Sequence, residues 1–216
     1  SPMNVSLVRL LSIAITLLTA ARLIAAGGVT GKPAVTVESN ALRLTVGTNA
    51  HILEFTDKSS GINYAAQNPT TAFARVKKGG KFFAATAAKL TDGRLVLDFA
   101  DTGVTAALRV VGAKHSVTVE VLAVTGEGVE EFVFADVPLK LKGAEAEPFA
   151  GCALALNLQT NVRELPRASS QLEASCYPRF GFAGAKVALI GCPKSDLRRV
   201  IQEVVTAAPD LPHSPI

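Results

Sequence analysis

Residues 92–99 read Asp92-Gly93-Arg94-Leu95-Val96-Leu97-Asp98-Phe99. The Asp-Gly pair is a two-residue turn signal, because glycine accepts the positive φ that a tight hairpin needs. Behind it Leu95, Leu97 and Phe99 alternate around Asp98, giving an extended chain one apolar face. A period of two marks a half-buried strand. The same pattern recurs on both sides. Leu42, Leu44 and Val46 alternate with Arg43 and Thr45, and Leu53 and Phe55 with Glu54 and Thr56. Val117, Val119 and Val121 alternate with Ser116, Thr118 and Glu120, and Leu139 and Leu141 with Lys140 and Lys142. Antiparallel strands with one wet side read this way.

Turn clusters separate these runs at the spacing of an all-β sandwich. They include Asp57-Lys58-Ser59-Ser60-Gly61, Lys78-Gly79-Gly80, Asp101-Thr102-Gly103 and Gly112-Ala113-Lys114. About ten to twelve strands are expected between residues 34 and 192. No strand–helix–strand alternation occurs, which argues against a doubly wound sheet. The pattern weakens over 145–175, where a short strand is expected near Leu154–Leu158. Two more follow, near Ala174–Phe182 and Lys186–Cys192. One helix ends the chain. Ser195 is placed to cap it, and Leu197, Val200, Ile201, Val204 and Val205 form a stripe of period 3.6. Arg198, Arg199, Gln202 and Glu203 fall mostly on its outer face. The fold class read from this pattern is all-β: an antiparallel β-sandwich over residues 34–193 with one C-terminal α-helix over 194–208.

The ends read differently. Arg9 precedes Leu10–Ala21, which carries no charge. That run is too short to span a membrane but suits the apolar region of a signal peptide. Residues 1–26 are therefore expected to be an export signal, 27–33 a linker, and the product secreted or periplasmic, with no stable membrane span after cleavage. The proline-containing tail, residues 209–216, reads as a linker to a downstream domain. The whole chain of 216 residues carries a formal charge of +4. Without residues 1–26 it has 20 Lys and Arg against 18 Asp and Glu, or +2. So mild a charge is no footprint for nucleic acid. The one basic cluster, Lys77-Lys78-Gly79-Gly80-Lys81, reads as a hairpin turn with solvated lysines.

No residue cluster spells out a reaction. Cys152, Cys176 and Cys192 form no CxxC pair, and are expected to be buried thiols, with at most one bridge. His51, His115 and His213 lack metal-ligand spacing. The serines lack a GxSxG elbow, and no glycine-rich loop precedes a helix that would hold a phosphate. Among the 18 carboxylates, Asp57, Asp92, Asp101, Glu127 and Asp136 are assigned to turns or strand ends, where turn chemistry explains them. Glu130-Glu131 opens a strand, so one of the two faces solvent. Catalytic, metal-binding and cofactor-binding residues are accordingly read as none, no cofactor is implied, and substrate-binding residues are left unassigned.

The run Ala41–Val46, followed by Ile52–Tyr64 with its Asp57-Lys58-Ser59-Ser60-Gly61-Ile62-Asn63-Tyr64 turn, resembles a known pattern. It is similar to the opening of the N-terminal, galactose-mutarotase-like supersandwich that precedes the catalytic barrel in many secreted glycoside hydrolases. Phe180–Pro193, the amphipathic helix and Leu211-Pro212-His213 resemble the lead from such a sandwich into a (β/α)8 barrel. The resemblance implies an accessory module, partnered by a catalytic domain further along its parent chain and associated with a carbohydrate substrate. Barrel hydrolases carry their catalytic carboxylates on the barrel, so none is assigned here. Two alternatives stand beside this reading. One is a stand-alone sugar epimerase or lyase-like sandwich, which needs histidines and carboxylates converging on one face. The other is a non-catalytic exported carbohydrate-binding or structural protein. Trp is absent and Tyr64 and Tyr177 are the only tyrosines, which disfavours independent tight sugar binding.

Overall fold

A computed structural model describes residues 30–211. The expected signal peptide, the first half of the linker over 27–33, and the end of the tail with His213 lie outside the described residues. The chain forms β1 (Pro33–Glu38), β2 (Leu42–Gly47), β3 (Ile52–Asp57), β4 (Arg75–Lys78), β5 (Lys81–Ala84), β6 (Ala87–Thr91) and β7 (Arg94–Phe99). It continues through β8 (Val104–Gly112), β9 (Val117–Thr125), β10 (Val129–Pro138), β11 (Phe149–Ala155), β12 (Asn161–Val162), β13 (Gln171–Cys176) and β14 (Lys186–Pro193) to α1 (Leu197–Thr206).

All pairings between these strands are antiparallel. A six-stranded sheet, β11-β14-β9-β8-β7-β6, makes one layer. A five-stranded sheet, β12-β13-β10-β4-β5, and a three-stranded one, β1-β2-β3, lie across its inner face. The fold is thus an all-β sandwich with a single C-terminal helix, as the alternation predicts. Aromatic contacts join the layers. Phe99 of β7 meets Phe132 of β10 edge-on at 6.0 Å, and Phe55 of β3 meets Phe149 of β11 at 6.4 Å. Gly191 of β14 lies beneath Leu42, Phe55 and Phe149, and a Cβ there would come within 2.9 Å of the Leu42 side chain.

Hairpin chemistry is local. The Asp92-Gly93 turn joins β6 to β7 with φ of 50° and 72°, and Gly79-Gly80 joins β4 to β5 with φ of 57° and 74°. Both have the two positive φ values of a turn whose twist matches paired strands. In the Asp57–Tyr64 turn the Asp57 carboxylate accepts hydrogen bonds from Ser59 N, Ser59 Oγ and Ser60 Oγ. Burial alone would raise the Asp57 pKa, but these donors outweigh it and hold the acid below its ordinary value. Lys58 reaches back to Ser39 O at 3.0 Å. Asn63 bonds the β3 backbone at Phe55 N and Leu53 O, and Tyr64 stacks on Phe149 at 5.1 Å. Each polar position of this turn therefore has a structural task.

The helix turns part of the sandwich into three layers. Val187 and Leu189 of β14 face the main core, while Ala188, Ile190 and Cys192 face outward. The outward set packs with Cys152 and Leu154 of β11 against Leu197, Val200, Ile201, Val204 and Val205. That is the predicted stripe. Burying Val200 alone contributes about 1.5–3 kcal/mol.

Several expectations are corrected. The described residues form 14 strands, more than the expected range. Ile52 and Phe55 are buried while Leu53 is only half-buried, because a bulge opposite Thr45 and Val46 shifts the phase of β3. Leu139 and Leu141 are buried but lie beyond the end of β10, in an extended connection tied to Ala65 by a single bridge. The strand expected near Leu154–Leu158 runs Phe149–Ala155 instead, leaving Leu158 on a turn. β13 stops at Cys176, because Pro178 has no N–H to continue a ladder and a single 3-10 turn, Pro178–Phe180, follows. Ser195 caps nothing. It sits within a 3-10 turn, Lys194–Asp196, that runs directly into α1, and the helix has no side-chain cap.

Candidate functional site

Among the described residues the buried carboxylates are Asp57, already described, and Asp136, only 1% exposed. Asp136 is not at a turn. It sits inside β10, directly across from Glu173 of β13, on the side of the five-stranded sheet facing away from the core. Arg75 of β4 lies between them. One of its nitrogens pairs with Asp136 Oδ2 and the other donates to Glu173 Oε2 at 2.7 Å. Gln171 Nε2 donates to Asp136 Oδ1 at 2.8 Å, and Arg163 Nη1 stands 3.7 Å from Glu173. The Phe82 ring lies 5.2 Å from the Arg75 guanidinium and 5.8 Å from Lys77 Nζ. Under this lattice Val133 is fully buried, although it points away from the core. Both oxygens of Asp136 are engaged, so the cluster is a polar plate tying β4, β10 and β13 together.

The second concentration of polar groups lies between the β8–β9 turn and α1. A cavity of about 440 Å³ is lined by His115, Thr118, Leu156, Lys186, Glu203 and Val204, among others. His115 Nε2 lies 2.6 Å from Glu203 Oε2, a close approach without hydrogen-bond alignment. Glu203 is thus not a simple outer-face residue. Arg199 Nη1 donates to its other oxygen at 2.7 Å, and Lys114 Nζ lies 3.9 Å away. The Arg199 hydrogen bond, helped by His115 and Lys114, holds the Glu203 carboxyl below its ordinary range against the opposing effect of burial. His115 and Glu203 are the kind of pair an epimerase would need, but Glu203 is shared with Arg199. His51 stands elsewhere, at the start of β3, with Nδ1 2.9 Å from Thr71 O. The His115–Glu203 contact, by contrast, clamps α1 onto the β8–β9 turn.

The cysteines behave as buried apolar groups. Cys152, Cys176 and Cys192 are all free and buried. Desolvation pushes their thiols up to about 11, 12 and 12 respectively. None is a thiolate at neutral pH, so none is a nucleophile or a soft metal ligand as it stands. Among the described residues no group of three or more His, Cys, Asp or Glu side chains is placed to hold a metal ion.

Sequence reasoning missed the Arg75 cluster because its members come from three strands far apart in the chain. One signal was present: Asp136 interrupts the apolar run Phe132-Val133-Phe134-Ala135 before Val137. A carboxylate in such a run must find a cation or a set of donors. No protein-family model, curated protein or solved structure matches the chain.

Proposed function

We propose that this chain is an accessory, carbohydrate-associated β-sandwich module of an exported glycoside hydrolase. On this reading the sandwich is galactose-mutarotase-like, packs against a catalytic barrel in its parent chain and shapes the substrate cleft. The observation that carries the reading is the condition of the buried carboxylates. Asp57 is held by the donors of its turn and Asp136 by Arg75 and Gln171. Hydrolysis of a glycosidic bond needs one carboxyl able to donate a proton and a second at a defined distance. Here buried acids are spent on rigidity, as in a surface that supports chemistry performed elsewhere. The helix supports the same reading: it closes part of the outer face of the six-stranded sheet, while the polar plate on the five-stranded sheet remains open for contact.

The deciding experiment is to read the gene beyond Ile216 and assay the products. The proposal expects an encoded (β/α)8 barrel, glycosidase activity in the parent protein and none in this chain alone. A stop codon immediately after Ile216, or hydrolysis by the chain itself, refutes it. Export by residues 1–26 is tested separately by fusing them to a reporter active only outside the cytoplasm. Among the described residues no helix is long and apolar enough to cross a membrane.

A further inference from the structure

Two shallow depressions, of about 370 and 410 Å³, lie on either side of the segment that follows β13 and share Tyr177 and Arg179 as common walls. The first is completed by Glu130 and Pro178, the second by Leu158, Gln159, Thr160, Asn161 and Phe180. Leu158 is 81% exposed and Phe180 48% exposed, and both line the second depression.

The surface is held rigid. Pro178 opens the 3-10 turn, and Gly181, at φ 77°, closes it with its N–H on Pro178 O. Gln159 Nε2 donates to Phe180 O at 2.8 Å. Tyr177 OH donates to Glu131 Oε1 at 3.2 Å, fixing the phenol ring between the depressions. The Arg179 guanidinium lies 4.4 Å from the Phe180 ring centroid and forms no ion pair among the described residues. The Asn161 carboxamide likewise has no partner, and Gln159 Oε1 accepts no hydrogen bond. Glu130 uses one oxygen on Gly80 N at 2.9 Å and leaves the other open. The depressions therefore present donors from Arg179 and Asn161 and acceptors from Asn161, Gln159 and Glu130 beside apolar surfaces.

A ligand matching this set carries groups that both donate and accept, alternating with small C–H faces, and needs no strong charge, since Arg179 and Glu130 offset one another. A pyranose ring has that chemistry: hydroxyls at its rim and C–H bonds on its faces. We propose that the Tyr177–Phe180 segment with Leu158–Asn161 forms a two-subsite surface for a neutral oligosaccharide. One sugar ring sits on Leu158 and Phe180, with its hydroxyls on Asn161 and Gln159. The chain crosses Tyr177 and Arg179, and a second ring meets Glu130. The choice of a saccharide rests on the carbohydrate-associated reading above, whereas the geometry of the surface stands apart from it. Pre-ordering of the turn lowers the entropy cost of binding.

The test is calorimetric titration of the purified full chain with cellohexaose, xylohexaose, mannohexaose and maltohexaose. At least one binds, and Phe180→Ala and Asn161→Ala each weaken that binding by about tenfold or more. Phe82→Ala, which removes an exposed ring on the Arg75 plate, leaves it unchanged. Melting temperatures establish that the variants are folded. Absence of binding by all four sugars, or equal binding by Phe180→Ala and the parent chain, overturns the proposal. If a barrel is encoded downstream and no hexasaccharide binds, this surface is refuted and the accessory-module reading stands. Binding in a chain with no encoded barrel sinks the module reading and leaves the surface intact.

Discussion

Replacing Arg75 with Met tests the polar plate most directly. The substitution keeps a long apolar stem but removes the charge that Asp136 and Glu173 share. The Asp136 side chain is 2% exposed and that of Glu173 17%, and the two face each other across paired strands. Losing one partner of a buried ion pair costs about 3–5 kcal/mol, since it strands the other charge. Arg75 is itself 26% exposed, and Gln171 still donates to Asp136, so the lower end applies, about 3 kcal/mol. For a domain of this size that corresponds to a melting temperature lower by about 6–12 °C. Urea and thermal unfolding followed by circular dichroism at neutral pH read both values. Adding Asp136→Leu to Arg75→Met removes the stranded charge and restores stability to within about 1 kcal/mol of the parent chain. A loss below about 1 kcal/mol in the single variant, or a double variant no more stable than the single one, refutes the account of the plate.

Three further predictions concern other parts of the molecule. Gly112→Ala would place a Cβ 1.9 Å from Glu38 O, where β1 crosses the end of β8, so the strand must shift. Unfolding by urea should show a loss of about 1–3 kcal/mol. The three cysteines should resist a thiol reagent in the folded protein at pH 8 and react together once it is denatured; rapid labelling of any one in the native state contradicts their burial. Glu203 has a folded pKa below the ordinary 4.5, so its contribution to stability is complete above that value and disappears as pH falls through the lower, folded one. The protection of α1 amides, taken relative to their intrinsic exchange rates at each pH, should therefore fall on acidification below pH 4.5 in the parent chain. Glu203→Gln should show lower protection already at neutral pH and less change in protection with acid.

The sandwich was legible because its strongest strands alternate without interruption. Leu95, Leu97 and Phe99, and Val117, Val119 and Val121, are all buried as their spacing demands. The helix stripe was legible for the same reason, with Val200 at its buried centre. Where the reading failed, a local event overrode the period. A bulge re-phased Leu53, and Pro178 cut short the strand expected to reach Phe182. Ser195 has the chemistry of a cap, but the 3-10 turn brings the chain into the helix without using it. The Arg75 plate and the Tyr177–Phe180 surface were out of reach for a different reason. Their residues meet through the pairing of β10 with β4 and of β13 with β10 and β12, and no pattern within one segment encodes that neighbour.

The position of β14 has a consequence for how the protein is made. In the six-stranded sheet β14 lies between β11 and β9, although it is the last strand among the described residues. The meander β6-β7-β8-β9 involves only neighbouring segments and can zip up as it leaves the ribosome. Its β9 edge then stays open until Lys186–Leu189 arrive to pair with Val117–Glu120. Throughout synthesis of some sixty intervening residues, an extended apolar strand offers unpaired amides to any passing chain. A form truncated before β14 therefore leaves the β9 edge unpaired, and an open edge of this kind is a template for pairing with other chains.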